Sequence, residues 1–394
     1  MLRLLRQYFI LFCIVLTSCS KSVVSTSEET DQGPVAIRLN VSALQSISKA
    51  AVDKWDEDTI SIFGLKQING GRYDFTDASN ILDYKTAVSG ELTETLDVYT
   101  DPDSRSPYFY KEGYLYDFYG YHLGGATIRE TVYEDYGISM HIEFDGSNDL
   151  MYASTDRSKD ILKSGSAKVT IYDVYSAFAA RNNVQPTLIF NHALTRFNFI
   201  TKGFGDKYDS IEIKALEIMA INSGRLSLSK DNVGFKPDED SDLSVLSLRD
   251  AQGNLITGQE VTINQSNTPL GGDGACLMIP EGMKEISITL IFRIKENGEE
   301  ISYTFPVKAA DIENQTTPSD MFLAGLSYNI FINIYGPEEI KITGSVQRWL
   351  PGGDFFIDPD DHEGITSKPG ADMITNGGVS IGDFDNNNLG DIYL

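Results

Sequence analysis

The segment that decides the fold is Val35-Ala36-Ile37-Arg38-Leu39-Asn40-Val41, in which apolar side chains alternate with small or polar ones. A period of two residues is typical of a β-strand with one buried face. The next apolar stretch, from Thr59 to Leu65, alternates in the same way, and a polar segment containing Lys49 separates the two. The sequence therefore predicts two strands joined by a loop, and a cut after Lys49 would separate the first strand from the rest of the chain.

The residues upstream of this strand predict a lipoprotein signal. Arg3 and Arg6 precede an apolar run from Tyr8 to Leu16, and the run closes on Leu16-Thr17-Ser18-Cys19. A charged start followed by a short apolar run is typical of a secretory signal, and the run is shorter than the roughly 20 residues that span a bilayer. We therefore assign residues 1–18 to a signal peptide, Cys19 to acylation, and residues 19–33 to a flexible tether to the outer membrane.

Composition limits the classes of partner and of stabilising bond. The chain has 394 residues and a formal net charge of -25, and such a charge repels nucleic acid, so no nucleic-acid partner is expected. Of the three cysteines, Cys13 and Cys19 belong to the signal. Cys276, in an apolar run, is predicted to be a buried thiol with no partner for an internal disulfide.

The remaining chain is predicted to be all-β and is long enough for two domains. Short alternating or aromatic runs separated by turn residues indicate a β-sandwich or barrel up to about residue 183. A second series of strands is predicted in the segments Pro186 to Phe199, Ile211 to Ile221, Glu285 to Ile294, Tyr328 to Ile334 and Ile340 to Ile342. The predicted domains are residues 34–183 and 184–352, followed by a loosely packed tail at residues 353–394.

The candidate chemical motifs favour no enzyme, metal or cofactor. His192 lies within a strand pattern and is interpreted as structural, and His122, His141 and His362 lack the spacing of zinc ligands. Gly378-Val379-Ser380-Ile381-Gly382 matches a nucleophile motif that needs a strand before it and a helix after it, and a loose Asp/Asn-rich segment follows instead. Asp383, Asp385 and Asn387 have the spacing of calcium-loop ligands, but Asn388 and Leu394 replace the Gly and Glu of an EF-hand.

The aromatic block from Tyr108 to Tyr121 allows two interpretations. Exposed tyrosines would bind sugar rings, which predicts a surface glycan-binding lipoprotein. In the other interpretation Tyr114, Tyr116 and Phe118 point into the core, while Leu115, Asp117 and Tyr119 face the opposite way.

Several segments together resemble the fimbrillin family, the lipoprotein subunits of Bacteroidales type V pili. The matching segments are Tyr116 to Tyr121, Asp149 to Ala153, Phe190 to Phe197, Leu323 to Ile330, Ile340 to Thr343 and Val346 to Trp349. Their order behind the lipoprotein signal favours this interpretation over the glycan-binding one. The resemblance implies two tandem transthyretin-like β-sandwich domains of Greek-key type, and a structural and adhesive role without enzymatic activity.

The resemblance also implies how the subunit assembles at the cell surface. The family removes the first strand by proteolysis, here after Lys49 with Arg38 as the alternative site, and another subunit donates a strand in its place. Val35, Ile37, Leu39 and Val41 would line the displaced strand, and residues 353–394 would be the candidate donor segment. Expected partners are other pilus subunits, the outer membrane through acylated Cys19, and a host or bacterial surface ligand or glycan. Tip, stalk and lipid-retaining anchor roles stay open.

Overall fold

Strands dominate the described part of the chain, as the sequence predicts. In the computed structural model the described residues are 33–43, 55–68, 71–90, 93–101, 105–155, 158–162, 168–172, 175–204, 207–250, 252–260, 269–272, 274–312, 319–337 and 339–348. Residues 36–394 belong to one compact unit and residues 1–35 to another. The all-β prediction is therefore confirmed, while the tandem transthyretin-like arrangement stays a prediction.

The described residues of the N-terminal half form thirteen strands and one short α-helix. The strands are β1 (Arg38–Ala43), β2 (Trp55–Lys66), β3 (Ile81–Gly90), β4 (Thr93–Asp97), β5 (Tyr99–Asp101), β6 (Ser106–Pro107), β7 (Tyr116–His122), β8 (Thr127–Glu134), β9 (Gly137–Glu143), β10 (Met151–Thr155), β11 (Ser158–Leu162), β12 (Lys168–Tyr172) and β13 (Thr187–His192). Helix α1 (Ala177–Arg181) begins where the Ser176 hydroxyl accepts a hydrogen bond from the Ala179 N–H, as expected of an N-cap serine.

The C-terminal half continues the series of strands. They are β14 (Leu194–Gly203), β15 (Ile211–Ala220), β16 (Ser223–Ser229), β17 (Val233–Pro237), β18 (Ser244–Ser247), β19 (Gln259–Glu260), β20 (Leu277–Pro280), β21 (Glu285–Ile294), β22 (Glu300–Lys308), β23 (Leu326–Gly336) and β24 (Glu339–Arg348). Short 3₁₀ helices lie at Ala78–Asn80, Tyr208–Ser210 and Ala309–Asp311.

Two pairs of sheets enclose the two described apolar cores. A seven-stranded sheet, in the order β3-β2-β7-β10-β13-β1-β4, packs through Phe63, Tyr119 and Tyr121 against a sheet in the order β17-β16-β9-β8. The second pair of sheets has the orders β20-β14-β23-β24 and β18-β15-β21-β22, and Phe197 and Ile288 lie in the core between them. Each pair is a β-sandwich, because the side chains of both inner faces meet in one core.

Strand pairing crosses the predicted division at residue 183, which stays a prediction. β13 follows that division in sequence, yet it pairs with β10 and in parallel with β1, in the sheet of the N-terminal half. β16 likewise pairs with β9. The chain changes sheet at Ala193, the single residue between β13 and β14. β13 alternates in burial, with Ile189 43% exposed, whereas every residue of β14 is buried. Local alternation predicts a strand in each segment but does not say which sheet that strand joins.

The first strand also starts later than predicted. β1 begins at Arg38, and Val35 precedes both this strand and the unit that starts at Ala36. Ala36 forms an isolated antiparallel bridge with Phe109, whereas pairing with β4 starts at Arg38 opposite Asp97. The change of pairing partner explains why the regular strand begins inside the alternating segment.

Candidate functional site: the β1 slot

The space that β1 occupies between β4 and β13 is here named the β1 slot. β1 runs antiparallel to β4, with Leu39 opposite Leu96, and parallel to β13, with Val41 opposite Leu188. Both edges of β1 are therefore hydrogen-bonded. Withdrawing β1 would leave unpaired N–H and C=O groups on two neighbouring strands at once.

Three alternate apolar side chains, two on β1 and one just before it, are fully buried. Ile37, Leu39 and Val41 are each 0% exposed. The Ile37 N–H donates to the Tyr108 carbonyl oxygen at 2.7 Å, which fixes the chain just before the strand. Burial of a side chain of this size contributes about 1.5–3 kcal/mol, so three of them make the occupied slot far more stable than an empty one.

The opposite face of β1 is polar. Arg38 forms an ion pair with Asp97 on β4, with Nε and Oδ1 2.8 Å apart, and both side chains are at least half exposed. The Thr95 hydroxyl donates to Asn40 Oδ1 at 3.0 Å. A strand in this slot is therefore bound by apolar contacts on one face and by an ion pair and a hydrogen bond on the other.

Two predicted site residues lie outside the described residues. Cys19 precedes residue 33, and Lys49 falls between the end of β1 at Ala43 and the start of β2 at Trp55. Arg38, the alternative processing site, is the first residue of β1. A protease acting at Arg38 would have to open the pairing of β1 with β4, because extended substrates bind proteases through the same backbone groups.

The aromatic block is largely core, and the prediction for it was partly wrong. Tyr116 and Phe118 are buried as expected, but Tyr114 is 42% exposed and carries the Lys66 ammonium group 4.3 Å from its ring centroid. Asp117 and Tyr119, predicted to face outward, are buried as well. The reason is that the β8-β9-β16-β17 sheet covers this second face, so alternation along β7 does not distinguish inside from outside.

A buried polar network around Asp117 was missed at the sequence level. Asp117 Oδ2 accepts hydrogen bonds from the Tyr73 hydroxyl at 2.6 Å and from Gln67 Nε2 at 2.8 Å. Burial, together with the neighbouring Asp117 charge, raises the pKa of Tyr73 well above its usual range. The network ties β7 to the segment before β3, which is the behaviour of a structural group.

The histidines are held by structural contacts. His192 Nδ1 donates to Asp149 Oδ1 at 2.8 Å, His122 Nδ1 lies 3.0 Å from the Thr59 carbonyl oxygen, and His141 Nε2 lies 2.7 Å from Asp238 Oδ2. Among the described residues, no group of three or more His, Cys, Asp or Glu side chains could hold a metal ion. Cys276 is buried, as predicted. His362, the Gly378-to-Gly382 motif and Asp383, Asp385 and Asn387 lie outside the described residues.

The Asp149–His192 pair gives a prediction for acid stability. Burial alone would raise the pKa of Asp149, but the hydrogen bond and charge of His192 outweigh it and lower the pKa. The ionised carboxylate therefore stabilises the fold above the unfolded pKa near 3.9, and this contribution is lost as the pH falls through the lower folded pKa. We expect Asp149→Asn to lose less stability than the parent chain as the pH falls below about 4, measured by urea unfolding at each pH. The exposed Asp231→Asn is the control, and an unchanged pH profile for Asp149→Asn would contradict the assignment.

No helix within the described ranges is long and apolar enough to cross a membrane.

Comparison with known sequences gives no family model that matches this chain and no match among curated proteins.

Comparison with solved structures does give neighbours. A candidate cell adhesion protein from Bacteroides ovatus is 12% identical and has a TM-score of 0.47, with coverage of 83% of this chain and 100% of that one. The fimbrial anchor protein Mfa2 from Porphyromonas gingivalis is 12% identical with a TM-score of 0.37, covering 82% of this chain and all of its own. The tip fimbrial protein Mfa3 from the same organism is 10% identical with a TM-score of 0.36, covering 80% of this chain and 100% of its own. The structural neighbours of this chain thus include fimbrial and cell adhesion proteins of Porphyromonas and Bacteroides.

Proposed function

We propose that this chain is a non-enzymatic, adhesive subunit of a cell-surface pilus that assembles by exchange of its first strand. It is exported as a lipoprotein acylated at Cys19 and reaches the outer membrane with β1 in place. Cleavage after Lys49 then frees β1, and a strand from another subunit fills the β1 slot. The observation that carries the proposal is the position of β1, an interior strand whose Leu39 and Val41, with Ile37 just before it, are fully buried.

The covalent connection between β1 and β2 explains why cleavage would be needed before another strand can replace β1. While residues 44–54 join β1 to β2, the attached strand competes at an effective concentration in the millimolar range or above. After a cut at Lys49, β1 belongs to a separate acylated fragment of residues 19–49, so it no longer competes for the slot as part of the same chain. A donor strand satisfies the backbone groups of β4 and β13 and covers the apolar positions, which is strand addition to a sheet.

Processing at Lys49 is tested by mutation and N-terminal mass spectrometry of material sheared from the cell surface. We expect a mature N-terminus at Ala50 and fibres that contain the chain. Lys49→Ala should abolish both and leave an acylated chain, because the protease loses its basic residue.

Two matched variants control this test. Lys54→Ala removes a basic residue from the same connection and should be processed normally. Arg38→Ala tests the alternative site and should also leave processing unchanged. Normal fibres from Lys49→Ala would remove Lys49 from the mechanism, and an uncut, acylated chain within wild-type fibres would instead establish the lipid-retaining anchor role.

A further inference from the structure

The buried face of the β1 slot sets a strict requirement on any replacement strand. Ile37, Leu39 and Val41 occupy alternate positions and are each 0% exposed. Leu39 lies opposite Leu96, and Val41 opposite Leu188. Removing most of a buried aliphatic side chain costs enough to weaken binding at least about 30-fold. A donor strand therefore needs apolar side chains at three alternate positions.

The polar face of the slot adds a weaker requirement. The carboxylate of Asp97 pairs with Arg38, and the Thr95 hydroxyl donates to Asn40. Because both members of the ion pair are at least half exposed, a wrong charge opposite Asp97 should cost only about two- to fivefold in affinity. Apolar fit decides whether a strand enters, and charge selects among those that fit.

Residues 353–394 do not meet the first requirement. Read in steps of two residues, in either direction, no register of this segment supplies three residues drawn from Ala, Val, Ile, Leu, Met, Phe, Tyr and Trp. Registers with two such residues place Asp, Gly, Pro or Thr at the remaining buried position, as in Val379-Ile381-Asp383, Gly390-Ile392-Leu394, Phe355-Ile357-Pro359 and Ala371-Met373-Thr375. In the last of these, the Thr375 hydroxyl would be buried in an apolar position, which is costly without a hydrogen-bond partner. A buried carboxylate, a missing side chain and a missing N–H are each costly there.

The segment fails the second requirement as well. Lys368 is its one Lys or Arg among many acidic residues, and in the Gly390-to-Leu394 register Asp391 would face Asp97. Like charges directly opposite on paired strands are destabilising.

We infer that the β1 slot receives its strand from a different subunit, and not from residues 353–394 of a second copy of this chain. The partner's strand carries apolar residues at three alternate positions, a cation between the first two, and a hydrogen-bond acceptor between the last two. It runs parallel to β13 and antiparallel to β4, as β1 does. This inference rests on the proposed strand exchange.

Peptide competition on the cut chain tests the inference. Residues 46–52 of the chain from residue 20 onward are replaced by the recognition sequence of a site-specific protease, the chain is cut, and a labelled peptide of residues 35–43 is allowed to exchange into the slot. The competitors are the unlabelled peptide, its Arg38→Glu variant, and peptides of residues 353–361, 377–385 and 386–394. We expect the tail peptides to compete at least about 30-fold more weakly than residues 35–43. The Arg38→Glu peptide should lose about two- to fivefold, and Asp97→Arg in the protein should restore it.

The outcomes separate the inference from the proposed function. A tail peptide that competes within about threefold of residues 35–43 overturns the inference and leaves strand exchange standing. An Arg38→Glu peptide that binds the parent and the Asp97→Arg protein equally overturns the charge requirement. If the labelled peptide never enters the cut chain, strand exchange itself is contradicted, and the inference falls with it.

Discussion

Leu39→Ala should lower the free energy of unfolding of the uncut chain by about 2–5 kcal/mol. Leu39 is 0% exposed and lies opposite Leu96 in the interior of the seven-stranded sheet, so the truncated side chain leaves a cavity that the flanking strands cannot close. Urea unfolding followed by circular dichroism measures the change. Arg38→Ala is the matched control on the same strand, and its exposed ion pair with Asp97 should contribute under about 1 kcal/mol.

The same substitution should have no effect on subunits within the assembled fibre. If β1 has been cut away and replaced, residue 39 is no longer part of the folded subunit. Fibres grown from Leu39→Ala chains should therefore resist denaturant as well as parent fibres do. Fibres weakened as much as the precursor would mean that β1 stays in its sheet after assembly.

Phe197→Ala should destabilise the chain by about 3–5 kcal/mol. The Phe197 ring is 0% exposed, meets Phe322 edge-on at a centroid distance of 5.0 Å, and stacks on Tyr328 at 5.4 Å. The substitution removes both aromatic contacts and leaves a cavity between two sheets. Phe178→Ala, on helix α1 with 68% exposure, is the matched control and should change stability by under about 0.5 kcal/mol. A loss below about 1 kcal/mol for Phe197→Ala would contradict its place in the core.

Local pattern predicted the strands themselves well. The predicted strand from Glu285 to Ile294 has the same bounds as β21, because alternation over most of a ten-residue segment is typical of a strand. Ile211 to Ile221 similarly predicts β15 to within one residue. Where side chains alternate between a buried face and a solvent-exposed face, the period of two residues in the sequence is enough to predict a strand.

Partnership between distant strands could not be predicted in the same way. β7 looked half exposed because its cover, the sheet formed with β9 and β16, comes partly from more than a hundred residues downstream. The sequence of β13 does not indicate that this strand pairs in parallel with β1 across the predicted domain division. The Asp117 network was missed for the same reason, since Tyr73 lies 44 residues away in sequence. The sequence therefore predicted that β1 is a strand, but not that it lies between β4 and β13.

The central claim is that β1 is exchanged for a strand of another subunit, and cross-linking from the wall of the β1 slot tests it most directly. A photoreactive amino acid at position 95 on β4 replaces the side chain that contacts Asn40. In the uncut precursor, mass spectrometry should find cross-links to the segment around Asn40. In assembled fibres it should find a peptide from a different subunit, and no peptide from residues 38–42. Cross-links to residues 38–42 that persist in assembled fibres would contradict the account.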